Sequence, residues 1–229
     1  MLADRLLQHV LSFSLKDVAL PQGVGVLDPF NGADADEVRR IVTHFHRKYF
    51  SDDRERVLML GINPGRFGAG LTGIAFTDPE DCKSVLGIDH TIPDQRPEAS
   101  SRFFANVVKA AGGAEAFYAR VYVSSVFPLG FTTVGAKGNA VNLNYYDRKD
   151  LMELARPVAK QWLTDLQNAG CRKDVVICLG KGENARFLSS LRVFDRVIAL
   201  DHPRYIMQYK SKDLVTHTAR YIAALNAVR

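Results

Sequence analysis

Four short apolar runs divide the chain, and each is continuous instead of alternating between apolar and polar positions. Continuous runs of this length are typical of strands that are covered on both faces. The pattern therefore predicts four strands, at Val57–Gly61, Val121–Val126, Val175–Gly180 and Arg196–Leu200.

The segments around these runs carry apolar residues at helical spacing. One apolar stripe, which predicts a helix that packs on the sheet, consists of Val38, Ile41, Val42, Phe45 and Tyr49. Similar spacing predicts helices over residues 101–113, 147–170, 184–191 and 211–228. We expect the helix over 147–170 to be kinked or interrupted at Pro157, because proline lacks the N–H that an inner helical position donates.

Strands that alternate with helices indicate a parallel sheet with helices on both faces. The chain is therefore predicted to be an α/β protein, a three-layer α/β/α sandwich around a central, mainly parallel four-stranded sheet, with residues 1–229 forming a single domain. In such sheets ligands bind beyond the carboxyl ends of the strands. We expect the functional site in the loops that begin at Gly61, Ser125, Gly180 and Leu200.

The charge balance is mildly basic, with 30 lysines and arginines against 25 aspartates and glutamates and an isoelectric point near 9.1. This excess is compatible with a polyanionic partner but does not require one. The three cysteines form no CxxC pair, so neither a disulfide framework nor a zinc site is predicted. Because no run approaches the roughly 20 apolar residues of a membrane helix, we expect a soluble, cytoplasmic protein without a membrane partner.

The loop after the first predicted strand is rich in glycine. It reads GINPGRFGAGLTGIAF, Gly61–Phe76, and contains five glycines and one proline. It matches neither the P-loop nor the glycine spacing of dinucleotide-binding folds. Glycine lets a ligand lie close to main-chain amides, although the same spacing also fits a turn that binds nothing.

This loop resembles, without a gap, the first motif of the uracil-DNA glycosylase superfamily. It is most similar to the motif of the single-strand-selective monofunctional branch, GMNPGPFGMAQTGVPF. The second family motif begins with His-Pro after the last strand, where this chain has His202 and Pro203. SSVFPLGF and CLGKGENARFL also resemble family segments, so the similarity spans about residues 55–210. The mismatch-specific thymine and uracil glycosylases share GxNPG as well.

The resemblance implies two catalytic residues. Asn63 would hold the water that attacks the sugar, and His202 would donate a hydrogen bond to O2 of the leaving base as negative charge collects there. Phe76 would stack on a base that has been flipped out of the DNA. The base-binding residues that the resemblance implies are Gly61, Ile62, Pro64, Gly65, Phe76, Ser125 and Asn142.

One position departs from the family pattern. Where the branch has an asparagine before Cys-Pro-Leu, this chain has Ser125 before VFPL. An amide contacts uracil N3–H and O4 together, which one hydroxyl cannot do. Either Asn142 or Asn144, in a segment that resembles a polar loop of the family, reads the base instead, or a wider pocket accepts other bases such as xanthine or hydroxymethyluracil.

Two further segments are expected to contact DNA. Lys181 and Gly182 precede a predicted helix and resemble an anion site, although an ordinary strand-to-helix turn fits equally well. After the second motif, Arg204, Tyr205 and Lys210 combine bulk with positive charge, which is typical of a wedge that enters DNA. The family has HPSPRNP at this place, so the arginine here comes earlier.

Together these features predict a monofunctional DNA glycosylase that flips out and hydrolytically excises uracil from single- or double-stranded DNA, with other deaminated or oxidised bases as further candidate substrates. We expect a monomer that needs no metal and no cofactor. No lyase activity is expected, because no lysine lies in either motif at the position of an amine nucleophile. The alternatives are a mismatch-type or xanthine/hypoxanthine-directed glycosylase, or a relative that binds damaged DNA without cutting it.

Overall fold

The computed structural model describes residues 1–16, 18–93 and 97–228. Within these residues the strands are β1 (Gly25–Leu27), β2 (Arg56–Gly61), β3 (Val121–Ser125), β4 (Gly130–Val134), β5 (Ala140–Leu143), β6 (Cys171–Leu179) and β7 (Arg196–Leu200). The α-helices are α1 (Leu2–Ser12), α2 (Ala35–Tyr49), α3 (Ala69–Thr72), α4 (Pro79–Ser84), α5 (Ala99–Ala110), α6 (Ala114–Tyr118), α7 (Lys149–Ala169), α8 (Glu183–Leu191), α9 (Pro203–Tyr209) and α10 (Leu214–Asn226).

The central sheet has the strand order β3-β2-β6-β7, and all its neighbouring strands are parallel. This confirms the predicted four-stranded parallel sheet. The first strand begins one residue earlier than predicted. The third begins at Cys171 instead of Val175, and its beginning was not predicted because charged residues there interrupt the apolar run. The register pairs Gly61 with Ser125 and Leu179 with Leu200, so the strands end in one row.

The helices form two groups that cover this sheet. In one group α1 contacts both α2 and α7, and in the other α5 contacts α6, α9 and α10. Each predicted helix is present. Of the kink or interruption predicted at Pro157, the interruption is wrong, because α7 runs through it. Pro157 lies on the exposed face of α7, where water can hydrate the carbonyl that has lost its partner. No helix in the described part of the chain is long and apolar enough to cross a membrane.

A second, antiparallel sheet was not predicted. Its strand order is β1-β4-β5, and the segment interpreted as a polar loop forms β5. These strands are short and partly exposed, so they lack the continuous apolar runs that marked the central strands. The small sheet packs directly on the glycine-rich loop, since a Cβ atom on Gly130 would lie 2.5 Å from the carbonyl oxygen of Pro64.

One fully buried charge ties the beginning of β2 to its surroundings. The guanidinium of Arg56 donates to the carbonyl oxygens of Tyr118 (2.7 Å) and Arg54 (2.6 Å), and it pairs with Asp52 at 3.0 Å. It also lies 5.5 Å from the centre of the Phe50 ring. These partners belong to the turn after α2 and to the end of α6, so Arg56 joins both to the central sheet.

We predict that Arg56→Met lowers the free energy of unfolding by about 3 kcal/mol, because buried carbonyl groups and Asp52 lose their partner. Urea denaturation measures the change. The matched control is Arg54→Met, which removes a 67% exposed guanidinium from the same carboxylate. For the control we expect a change within about 0.5 kcal/mol. Equal changes in the two variants would contradict this account of Arg56.

Candidate active site

A cleft of about 340 Å³ opens at the row of strand ends. Its walls come from the loop after β2, the end of β3, the β5 hairpin, the segment before α5, and α9. Most of the residues predicted at the site line it: Ile62, Asn63, Pro64, Gly65, Phe76, Ser125, Asn142, His202, Arg204 and Tyr205. Gly61, Lys181, Gly182 and Lys210 lie outside its lining.

The Asn63 amide is held by backbone groups at the end of β5 and just after it. Its Nδ2 donates to the carbonyl oxygen of Leu143, and its Oδ1 accepts from the backbone N–H of Tyr145, both at 3.2 Å. Because one partner is an acceptor and the other a donor, the two ends of the amide are distinguished. Oδ1 keeps a second lone pair, which is available to a water molecule in the cleft.

His202 is the N-cap of α9, and its ring orientation is fixed locally. Its Nδ1 accepts from the backbone N–H of Arg204 at 3.1 Å. The neutral ring therefore carries its proton on Nε2 and presents a donor there. Burial, with a smaller contribution from the Arg204 guanidinium, lowers the pKa of His202 to about 4. The ring is consequently neutral at ordinary pH.

The Phe76 ring lies between the motif loop and the helix α5. It stacks on Phe104 with 4.9 Å between ring centres, and its centre is 5.6 Å from that of His202. Its backbone has a φ of 54°, which is uncommon for a residue other than glycine. A Cβ atom on Gly61 would lie 2.8 Å from this ring, so glycine at 61 makes room for Phe76 without lining the cleft itself.

Glu98 enters the site from outside both motifs and was missed in the sequence. Its backbone N–H donates to Asp78 Oδ2 at 3.0 Å, and its carboxylate reaches back over the motif loop. A Cβ atom on Gly65 would lie 3.1 Å from Glu98 Oε1, and one on Gly68 would overlap Oε2. Burial raises the pKa of Glu98 above its usual range. Two glycines of the motif thus leave the space that this side chain fills.

Asn142 and Ser125 both reach the cleft, as predicted for residues that read a base. Asn142 Oδ1 accepts from the backbone N–H of Arg66 (3.3 Å) and from its Nε (3.1 Å), so the Nδ2 end of the amide remains to donate. Nδ2 lies 3.3 Å from the Cβ position of Gly65. Asn144 also lines the cleft, but its Nδ2 donates to Asp147 at 3.2 Å and helps to close the turn after β5.

The residues predicted to contact DNA occupy two different places. Arg204 and Tyr205 stand at the rim of the cleft, where the Tyr205 ring pairs with that of Tyr209 at 5.3 Å. Lys181 lies away from the cleft and pairs with Asp201, the residue before His202, at 3.1 Å. Lys210 is exposed at the end of α9. In the described residues no group of three or more His, Cys, Asp and Glu side chains is arranged to hold a metal ion.

Comparisons with known proteins agree with the two motifs. The sequence model of the uracil DNA glycosylase superfamily matches residues 47–226. The crystal structure of wild-type SMUG2 from Pedobacter heparinus has 38% sequence identity to the chain and a TM-score of 0.94, covering 99% of this chain and 97% of that one. The comparison with curated proteins found no match. The chain belongs to the uracil DNA glycosylase superfamily, and it is similar to a SMUG-type structure over nearly its whole length.

Proposed function

We propose that the protein is a monofunctional DNA glycosylase that hydrolyses the bond between deoxyribose and a flipped-out uracil, leaving an abasic site. The observation that carries this proposal is the meeting of Asn63, Phe76 and His202 in one cleft. The first offers an oriented acceptor for water, the second an aromatic surface, and the third a neutral hydrogen-bond donor. Membership of the superfamily supports a reaction of this class.

His202 would assist the departure of the base. When the bond to the sugar breaks, its electron pair moves to the base and negative charge collects on the base oxygens. A neutral imidazole that donates from Nε2 stabilises this charge without having to be protonated first. The hydrogen bond from Arg204 to Nδ1 keeps the ring in this form.

Asn63 would orient the attacking water through the free lone pair of Oδ1. An amide is too weak a base to remove a proton, but orientation alone suffices when the sugar already carries positive charge in the transition state. Phe76 would stabilise the flipped base by stacking, which offsets part of the few kcal/mol that extrusion costs.

The polar groups around the cleft favour a base with a carbonyl edge. Asn142 presents a donor, since Arg66 occupies its acceptor. A donor suits O4 of uracil and opposes the amino group that cytosine carries at that position. The Ser125 hydroxyl can donate or accept and so completes the contact to the base. Asn142 and Ser125 would together make the contacts to the base that the family branch makes with the asparagine at the position of Ser125.

A xanthine- or hypoxanthine-directed activity is the second candidate, and one observation favours it. An apolar cavity of about 60 Å³ lies behind the cleft and shares Pro64, Ala75 and Ser125 with it. Small side chains at this boundary leave space that a purine needs and a pyrimidine does not. Purines with keto groups also offer acceptors to the Asn142 donor.

The rim of the cleft would contact the DNA around the flipped nucleotide. Tyr205 and Tyr209 are 44% and 63% exposed, which suits rings that stack on bases, and Arg204 and Lys210 lie beside them to meet phosphates. Lys181 is the weaker part of the prediction, because Asp201 neutralises its charge. The presence of both Asn63 and His202 in one cleft argues against a relative that binds without cutting.

We predict that the protein excises uracil from oligonucleotides. The assay incubates it with single- and double-stranded oligonucleotides that carry uracil, xanthine, hypoxanthine or hydroxymethyluracil, and alkali then breaks the strands at abasic sites. Asn63→Ala and His202→Ala should each lower the single-turnover rate about 100-fold or more, because each removes a group that acts on the transition state. Arg192→Ala, on the far end of α8, serves as the control. Absence of product from every substrate would contradict the proposal.

The rate of excision is predicted to stay constant from pH 8 to about pH 5.5 and to fall only as the pH approaches 4. This pH dependence follows from the lowered pKa of His202. The ring is neutral when the pH is well above about 4, and protonation of Nδ1 at lower pH breaks its hydrogen bond to the Arg204 N–H. Single-turnover rates over this range test it, with Glu98→Gln included to remove a carboxyl group on the cleft wall whose pKa is raised. A break near the ordinary histidine pKa of about 6.5, present in both proteins, would contradict it.

A further inference from the structure

A buried amide joins the ends of two central strands directly below the cleft. Asn184, in the first turn of α8, is 1% exposed. Its Nδ2 donates to the carbonyl oxygens of Gly61 (3.3 Å) and Leu179 (3.0 Å), which end β2 and β6. Asn184 therefore ties the residue from which the motif loop departs to the neighbouring strand.

The other end of this amide reaches the segment that holds Asn63. Asn184 Oδ1 accepts from the Tyr145 hydroxyl at 2.7 Å, and Tyr145 is fully buried. The backbone N–H of the same tyrosine donates to Asn63 Oδ1. A continuous path of hydrogen bonds thus leads from the strand ends, through Asn184 and Tyr145, to the Asn63 amide.

We propose that Asn184 and Tyr145 are positioning residues that hold Asn63 in its catalytic orientation; this inference rests on the proposed function. The last residue of β5 and the segment after it supply the two partners of the Asn63 amide, and Tyr145 anchors that segment through its side chain. Both bonds to Asn63 are 3.2 Å long, so a small shift of the segment breaks them. A shift of about 1 Å is enough to cost a large part of a catalytic rate.

The hydroxyl of Tyr145 is the informative group in this path. The Tyr145 ring packs at 4.6 Å from Phe187 and 5.1 Å from Tyr146, and phenylalanine would preserve these contacts. The hydroxyl adds the hydrogen bond to Asn184. Tyr145→Phe consequently removes the anchor and retains the packing.

The test compares single-turnover excision of uracil by wild type, Tyr145→Phe, Asn63→Ala and the double variant. We expect Tyr145→Phe to reduce the rate roughly 10- to 100-fold while leaving the affinity for uncleavable DNA within about threefold. In the Asn63→Ala background the same change should have less than about a twofold effect, because the residue that Tyr145 positions is already gone. Equal fold-losses in both backgrounds would overturn the proposal.

The matched control is Tyr122→Phe. It also removes a buried tyrosine hydroxyl, one that lies 3.1 Å from His46 Nε2 and away from Asn63. We expect it to lower thermal stability about as much as Tyr145→Phe and to leave the excision rate unchanged. If the control lost as much rate as Tyr145→Phe, general loss of stability would explain both changes, and the positioning role would be overturned.

A readout that does not depend on activity separates this inference from the proposed function. In NMR spectra the Nδ2 proton that Asn63 donates to the Leu143 carbonyl oxygen should have a fixed resonance in wild type, and this resonance should shift toward that of a solvent-exposed amide in Tyr145→Phe. Unchanged Asn63 resonances would overturn the positioning role even in an active enzyme. A wild type that cleaves no substrate, together with resonances that shift in Tyr145→Phe, would refute the proposed function and leave the positioning role standing.

Discussion

The parallel register of the central sheet is the constraint on which the site depends. Because β2 pairs with both β3 and β6, Gly61, Ser125 and Leu179 end in one row, and the loops that follow them must share one surface. Asn184 reinforces this row with hydrogen bonds to Gly61 and Leu179. Asn63 and His202 thus lie just beyond the ends of β2 and β7 on a rigid edge, which is the arrangement that precise positioning requires.

Three glycines of the motif make room for neighbouring side chains. Gly61 admits the Phe76 ring, and Gly65 and Gly68 admit the Glu98 carboxylate. The loop therefore lies closely between α5 and the small antiparallel sheet, and its main chain is in contact with both. Packing of this kind leaves little freedom at Pro64, so Asn63 enters the cleft from a fixed backbone.

The sequence predicted the parts of this molecule that depend on local pattern. Continuous apolar runs located the four central strands, and the family motifs located Asn63, Phe76 and His202. The small sheet was not predicted because its strands are short and partly exposed, so no apolar periodicity marks them. Glu98 and the Asn184–Tyr145 pair were not predicted for another reason. Their roles arise from contacts between segments that are distant in the chain, and a single sequence carries no signal for such contacts. The pairing of Lys181 with Asp201 is of the same kind.

The chemistry rests on a neutral His202 that presents Nε2–H beside an aromatic surface and an oriented amide. The most direct test is a crystal structure of the protein with an oligonucleotide that carries 2′-fluoro-2′-deoxyuridine, whose fluorine disfavours positive charge on the sugar and so prevents cleavage. The account predicts that the uracil leaves the DNA stack and lies against Phe76, with O2 at about 3 Å from His202 Nε2 and a water on Asn63 Oδ1. A uracil that binds outside the cleft, or an Nε2 that faces away from it, would contradict the account.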